Sequence, residues 1–381
     1  MGKRYDALIV GGGVIGCSIA YHLAKVGKDV LLVEKDRIGS QASSAAAGML
    51  GVQAELEEDG PLFQLARKSR DMFPNLAQEL REITGIDIAL IKSGALKPAF
   101  TNEQLESFEQ TASWQTQNGE KAIMLNKDDV LTKEPALTDD VKGALYFPNE
   151  AQVSPVDLTH ALVKGAQYYG AKIREFTDVL SLHIEDQEIK GVDTVAGTFL
   201  AEAVIIASGA WSKQWFRHQP HVDIYPVKGE ALCVETSTPL LTTTIFSKDC
   251  YITPKKGHDI YIGATMTPYD FSKSVSVNGL SSLLEKAQRL LPSLADADVK
   301  QVWSGLRPMT NDGLPFIGKD TQLENLFYAT GHYRNGILLS PITGLITARL
   351  ITEGYENIDL LTPFQYDRLK EVNRREYQVK W

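Results

Sequence analysis

Cysteine is scarce: Cys17, Cys233 and Cys250 are the three in 381 residues, an odd count at wide spacings. That pattern suggests neither a disulfide framework nor a zinc site, and a reduced, cytoplasmic protein is the natural reading. Long apolar runs are also missing. No stretch approaches the roughly 18 apolar residues of a membrane span. Residues 5–21 are apolar but broken by Gly11, Gly12, Gly13 and Gly16, and no small-residue cleavage site follows, so they do not read as a secretory leader. Positive charge is in deficit: 39 Lys and Arg against 48 Asp and Glu give a net charge of −9, with no dense basic block. A general nucleic-acid binder needs a basic face, so that class is disfavoured. Internal repeats and low-complexity tracts are absent, and no metal site is expected.

What remains is an ordinary globular composition, 43% hydrophobic and 23% charged. At roughly 150 residues per domain the chain holds two or three domains. It is long enough to bury a core without disulfides or metals. Residues 5–10 read as a buried strand, 14–26 as a helix stopped by Gly27, and 30–33 as a second strand ending at Glu34. A helix is expected over 61–84, kinked at Pro74. Another is expected from Thr101, whose Thr-Asn-Glu-Gln start is a capping box, and a third over 155–169. Residues 172–206 read as a small meander. From 225 to 266 the chain alternates as strands, with a hairpin turn at Lys255-Lys256-Gly257. A helix (280–291), two strands (299–307 and 326–330) and a closing helix (337–351) follow. The αβ-type and all-β-type stretches interleave, so two domains would be discontinuous in sequence.

Gly11-Gly12-Gly13-Val14-Ile15-Gly16 satisfies G-x-G-x-x-G. Three contexts strengthen it: a strand before, a helix after, and an acid, Glu34, ending the next strand. Gly11 makes the tight turn, Gly13 lets the backbone approach a pyrophosphate, and Gly16 allows close helix–strand packing. The helix start favours the diphosphate, and Glu34 can accept from both ribose hydroxyls. An empty glycine turn is the competing reading. Position separates FAD from NAD: the fingerprint lies at residues 11–16. The small-residue loop at 43–49 lets a long dinucleotide run on past the pyrophosphate.

That fingerprint, the Ser-Ala-Ala-Ala-Gly-Met-Leu loop (44–50), Val227-Lys228-Gly229-Glu230, Gly305-Leu306-Arg307-Pro308 and Gly331-His332-Tyr333-Arg334-Asn335-Gly336-Ile337 resemble the D-amino-acid oxidase family of FAD enzymes. The likeness spans essentially the whole chain in matching order. It implies a two-domain α/β (α+β) fold: a Rossmann-like FAD-binding domain with a mixed-sheet substrate domain, the flavin lying at their junction. Residues 1–86, 146–220 and 305–381 would form the first domain, and 87–145 and 221–304 the second. By resemblance Val14, Ile15, Glu34, Lys35, Ala42, Ser43, Ala47, Gly48 and Met49 line a non-covalent FAD. The Val179 backbone meets the adenine, and His332, Tyr333, Arg334, Asn335, Gly336, Ile337 and Leu338 wrap the pyrimidine end of the flavin. A helix start following that segment suits the flavin edge that gains negative charge on reduction.

Amino-acid oxidation requires a held carboxylate, an oriented Cα–H bond and a neutral amine. Arg307, placed between an apolar strand and a proline, is the candidate carboxylate anchor, because its planar fork matches a carboxylate bidentately. A structural ion pair is the alternative. The resemblance makes Arg334 a second substrate contact, Tyr251 a hydroxyl on the same carboxylate, and Met266 and Met49 pocket walls. Asp249 departs from the family pattern, where a histidine can stand, and is given no catalytic role. No side-chain base is required if an apolar pocket lowers the amine pKa. The implied activity is oxidative deamination of glycine and other small amines (sarcosine, D-alanine). The imine would hydrolyse to the oxo acid, O2 would become H2O2, and the product would feed thiamine thiazole synthesis. The resemblance also implies a homotetramer. A D-amino-acid dehydrogenase, a sarcosine-type oxidase and a non-catalytic flavin-binding subunit are the competing readings. The carboxylate clamp argues against the last.

Overall fold

The computed structural model describes residues 3–217, 219–354 and 359–370. Positions 1–2, 218, 355–358 and 371–381, which the expected FAD-binding segments include, lie outside the described residues.

An eight-stranded sheet organises the first layer. Its main path of six strands is Phe316–Lys319, Leu326–Thr330, Gly197–Ile206, Arg4–Val10, Val30–Val33 and Lys172–Arg174, parallel except for the pair Phe316–Lys319 and Leu326–Thr330, and Glu188–Thr194 with Val179–Glu185 extends antiparallel from Gly197–Ile206. Arg4–Val10 sits in the middle, with Ile9 level with Ile205 on one side and with Leu32 on the other. Its carboxyl end is therefore a point where strand order reverses, the place where an open parallel sheet leaves a crevice. Gly11–Gly13 lie there.

Both faces of this sheet are covered at its centre, which is why Val30–Val33 and Leu326–Thr330 are buried along their whole length. On one face the first helix, Val14–Lys25, packs between the closing helix, Gly336–Glu353, and the helix Pro155–Tyr168. The closing helix is long and apolar enough to cross a membrane by composition, but 67% of that window is buried in this core. It also contains Pro341, whose missing N–H would orphan the Ile337 carbonyl. The Ser340 hydroxyl donates to that carbonyl at 2.9 Å and restores the bond. Helix Pro61–Thr84 runs as one element through Pro74, where the sequence pointed to a kink. Phe63, Leu65 and Ala66 before the proline and Leu76 and Leu80 after it are all buried, so packing holds both halves on one core.

The second sheet has nine strands and is mostly antiparallel. Its backbone is the long pair Ile224–Glu235 and Asp298–Thr310, in which Gly229 faces Gly305 and Val227 faces Arg307. The amphipathic helix Val277–Leu290 covers one side through Leu283, Ala287 and Leu290. The capping box forms as expected: Thr101 Oγ1 accepts from Gln104 N at 3.3 Å and Gln104 Oε1 from Thr101 N at 3.2 Å. Cys250 immediately precedes the strand Tyr251–Pro254, and all three cysteines are free and buried.

Candidate active site

A cavity of about 540 Å³ runs from the start of the first helix to the start of the closing helix, between the two sheets. That is the size of a cofactor or drug-like ligand site. Every residue given a cofactor or substrate role from the sequence lines it except Gly16, Asn335 and Leu338. Those three lie behind the wall. A Cβ on Gly16 would fall 1.9 Å from the Gly11 carbonyl oxygen, so Gly16 serves helix–strand packing. Asn335 is the N-cap of the closing helix, and Leu338 is buried inside it.

The fingerprint end is built for an anion next to a diol. Gly13, the N-cap of the first helix, offers no side chain to its own helix start. Ser43 Oγ takes one of the exposed donors, Val14 N, at 2.9 Å. Glu34 accepts from Gly12 N at 2.6 Å and from Asp36 N at 2.9 Å, one bond on each oxygen. A carboxylate has about four acceptor positions, so each oxygen keeps capacity for a hydroxyl. Lys35 Nζ sits 3.7 Å over the Trp211 ring, and burial lowers its pKa. Small residues bring the loop close: a Cβ on Gly305 would meet Ala45 Cβ at 2.5 Å, and Trp303 Nε1 donates to Ala45 O at 3.0 Å. Lys255, from the hairpin, donates to the Ala47 carbonyl and to Gln152 Oε1, and burial pushes its ammonium down to about 7.

At the far end the closing helix also starts without a side-chain cap from its N-cap residue, with Gly336 and Ile337 on the wall. A glycine cradle, two open helix starts and a carboxylate with spare acceptor positions fit a dinucleotide carrying a ring that gains negative charge. His332 is 3% exposed, its Nε2 is 3.1 Å from Thr343 Oγ1, and burial pushes its pKa down to about 3. His22, beneath the closing helix, is held to about 4 by burial first and Lys25 second. Both stay neutral in the fold while unfolded histidine protonates near 6.5. The unfolded chain therefore binds more protons below that pH, and stability falls as pH drops from 6.5 toward 4, by about 1.4 kcal/mol per unit for each histidine. Denaturant midpoints measured from pH 7 to 4.5 should show this slope, and His332→Gln should flatten it by one histidine's share.

The end of the cavity that holds Arg307 rests on sheet register. Arg307, Gly305 and Trp303 share one face of their strand, as do Gly229 and Ala231 on the neighbouring one. The Arg307 guanidinium crosses Gly229: a Cβ there would lie 2.3 Å from Nη1 and 2.5 Å from Cζ. Nη1 donates to the Thr265 carbonyl at 3.2 Å. No carboxylate pairs with Arg307 among the described residues, so the structural ion-pair alternative finds no acid. Burial lowers its pKa, and Arg334 nearby adds to that. Tyr251 lies alongside, its hydroxyl where a Cβ on Gly263 would be 2.3 Å away, and burial raises its pKa while Arg307 and Arg334 pull it back.

Arg334 differs from Arg307. Its Nε contacts Glu55 Oε2 at 3.0 Å, and that carboxylate, first among the causes, raises its pKa. The cavity thus holds one compensated and one uncompensated guanidinium. Glu55 escaped the sequence reading, since an acid in the short helix Val52–Glu55 carries no local signal of its partner. Trp211, Thr265 and Lys255 escaped it for the same reason. Met266 is 46% exposed at the cavity edge and its Sδ accepts from the Tyr333 hydroxyl at 3.6 Å. Asp249 is exposed on the rim.

The profile of the family described as FAD dependent oxidoreductase (DAO) matches residues 6–350. A glycine oxidase of Geobacillus kaustophilus is 46% identical over 97% of this chain and 98% of its own. The crystal structure of a glycine oxidase from Geobacillus kaustophilus superposes with a TM-score of 0.91 at 44% identity, covering 98% of this chain and all of that one. A bifunctional ThiO/ThiG protein of Nostoc is 34% identical over 95% of this chain and 55% of its own length.

Proposed function

The chain belongs to the FAD-dependent oxidoreductase (D-amino-acid oxidase) family, its cofactor is FAD, and we propose that it oxidises glycine and other small amines such as sarcosine and D-alanine. The observation that carries this reading is Arg307: a guanidinium without an acid partner, seated on a wall of glycine and alanine inside the cofactor cavity. A flavin-binding subunit without turnover has no use for such a group.

In this reading the start of the first helix, with Gly11 and Gly13, holds the pyrophosphate. Glu34 takes the ribose hydroxyls, Val179 meets the adenine, and the segment from His332 to Ile337 holds the flavin. Bound there, FAD would supply the two-electron acceptor for oxidation of the amine's Cα–N unit and the route by which dioxygen is reduced to hydrogen peroxide. The chain's own residues supply position and electrostatics. Arg307 binds the substrate carboxylate bidentately, with the Tyr251 hydroxyl as a third donor. Glu55 neutralises Arg334, so a zwitterion meets a single net positive charge on the anchoring side. Burial of the amine between Met49, Met266 and Tyr333 favours its neutral form, the one that can be oxidised, without a dedicated side-chain base. The product imine then hydrolyses to glyoxylate and ammonia.

The finer properties follow the same reading. Residues 1–86, 146–220 and 305–381 are assigned to the FAD-binding lobe, and 87–145 and 221–304 to the substrate lobe. A cytoplasmic homotetramer supplying thiamine thiazole synthesis is proposed. The free, buried cysteines support a reducing compartment, and the relative named ThiO/ThiG supports the pathway. The deciding experiment is anaerobic mixing of the yellow protein with glycine, sarcosine and D-proline. Glycine should bleach the flavin band, and admission of air should restore it with peroxide formed. A flavin that stays oxidised with all three would end the amine-oxidase reading.

A further inference from the structure

Between the strand Asp259–Gly263 and the helix Val277–Leu290 the chain makes an excursion, residues 264–276, with almost no core of its own. Met266, Tyr269 and Phe271 are exposed, and its one strand is the two-residue Thr267–Pro268. Ring contacts of Tyr269 with Tyr225 and of Phe271 with Trp211 lie at its surface, and polar ties from two buried side chains hold it from beneath. Lys228, 6% exposed, donates to Asp270 Oδ2 at 3.0 Å and to Ser272 Oγ at 2.9 Å. Glu230, 5% exposed, accepts from Ser276 N at 2.8 Å and from Ser276 Oγ at 3.2 Å. The Glu230 backbone joins in: its N–H donates to Thr265 Oγ1 at 2.9 Å and its carbonyl accepts from Thr265 N at 3.2 Å.

These two residues flank Gly229, over which the Arg307 guanidinium lies, and the pleat turns them to the opposite side of the strand. Burying two charges is costly unless each is fully bonded. Here they do not chiefly serve each other, since Lys228 Nζ to Glu230 Oε1 is 3.9 Å. Each spends its bonds on the excursion. The excursion in turn reaches the substrate cavity at two points: Thr265 O accepts from Arg307 Nη1, and Met266 Sδ accepts from the Tyr333 hydroxyl.

We propose that Lys228 and Glu230 are positioning residues for amine oxidation. By pinning residues 264–276 they fix the direction of the Arg307 guanidinium, through the Thr265 carbonyl, and the width of the substrate pocket, through Met266. This rests on Arg307 being the carboxylate anchor. The Lys-Gly-Glu tripeptide is thus one device: the glycine makes room for the anchor, and its two charged neighbours hold the strap that aims it.

The test uses flavin-loaded Lys228→Met, Glu230→Gln and Asp270→Asn. The last breaks the same tie from the partly exposed end and spares the buried lysine. Three readouts apply: hydrogen exchange of residues 264–276, binding of acetate followed by its perturbation of the flavin spectrum, and steady-state kinetics with glycine and sarcosine. Loss of one charge-assisted tie should raise the exchange rate, the acetate Kd and the glycine KM by about tenfold each. Flavin affinity should hold, kcat should fall much less than KM rises, and the sarcosine-to-glycine ratio of kcat/KM should climb as the pocket loosens. Lys228→Arg should recover part of each change. Unchanged exchange in residues 264–276 would overturn the pinning. Faster exchange with an unmoved acetate Kd and substrate ratio would overturn the positioning role, as would loss of flavin alongside everything else in both Lys228→Met and Asp270→Asn. A wild-type protein that oxidises no amine refutes the oxidase reading separately, because exchange and acetate binding are read without turnover.

Discussion

Arg307→Ala is expected to give a folded, yellow protein that has lost its grip on amino-acid carboxylates. The guanidinium lines the cavity, part-buried, has no acid partner among the described residues, and donates to the Thr265 carbonyl over a glycine floor. Removing it leaves a bound carboxylate buried and unpaired, a loss of about 3–5 kcal/mol. In kcat/KM for glycine that is a drop of a few hundred- to a few thousand-fold. Arg334 does not substitute, because Glu55 already compensates it. Gly229→Ala should reproduce most of this defect without touching the arginine. Its Cβ would lie 2.3 Å from Nη1, so the guanidinium must leave its seat. Steady-state kinetics with acetate as a competitive ligand checks both variants. Normal acetate and glycine affinity in Arg307→Ala would remove the anchor assignment.

A paired substitution in the fingerprint should separate two jobs that glycines do there. Gly16→Ala places a Cβ 1.9 Å from the Gly11 carbonyl oxygen, which is backbone and has nowhere to go. The first helix must lift off the central strand, with an overpacking cost of about 1–3 kcal/mol and a displaced helix start. A lower denaturation temperature and loss of flavin together are expected. Gly13→Ala is different. The backbone there is extended at φ −72° and ψ 177°, which alanine adopts freely, and the nearest protein atom to its Cβ is Ser43 Oγ at 3.3 Å. The fold should survive unchanged while the methyl group occupies the approach of the pyrophosphate, so the purified protein should be stable and pale. Thermal unfolding and the flavin-to-protein absorbance ratio distinguish the outcomes. A fully yellow Gly13→Ala would mean the diphosphate does not come to this helix start.

Local chemistry was legible in the residues themselves. The glycine fingerprint with Glu34, the Thr101 capping box and the helix stops follow from backbone requirements spanning a few positions, so spacing suffices to read them. Arg307 could be singled out because an arginine between a short apolar strand and a proline needs an anion. Pro74 does not end its helix, because buried side chains on both sides of the proline hold the two halves on one core.

What tertiary structure alone decided are the pairings across distance. That Glu55 compensates Arg334 and leaves Arg307 as the uncompensated cation depends on a short helix meeting the start of the closing helix. That Gly229 seats the Arg307 guanidinium, the proposed anchor, depends on the register of Ile224–Glu235 against Asp298–Thr310. A shift of one residue would turn every side chain to the other face. The five quoted motifs, through their resemblance to the D-amino-acid oxidase family, pointed to the family and its cofactor. Which of two arginines is free to take a carboxylate, and how wide a pocket it serves, are consequences of burial and contact that no linear pattern carries.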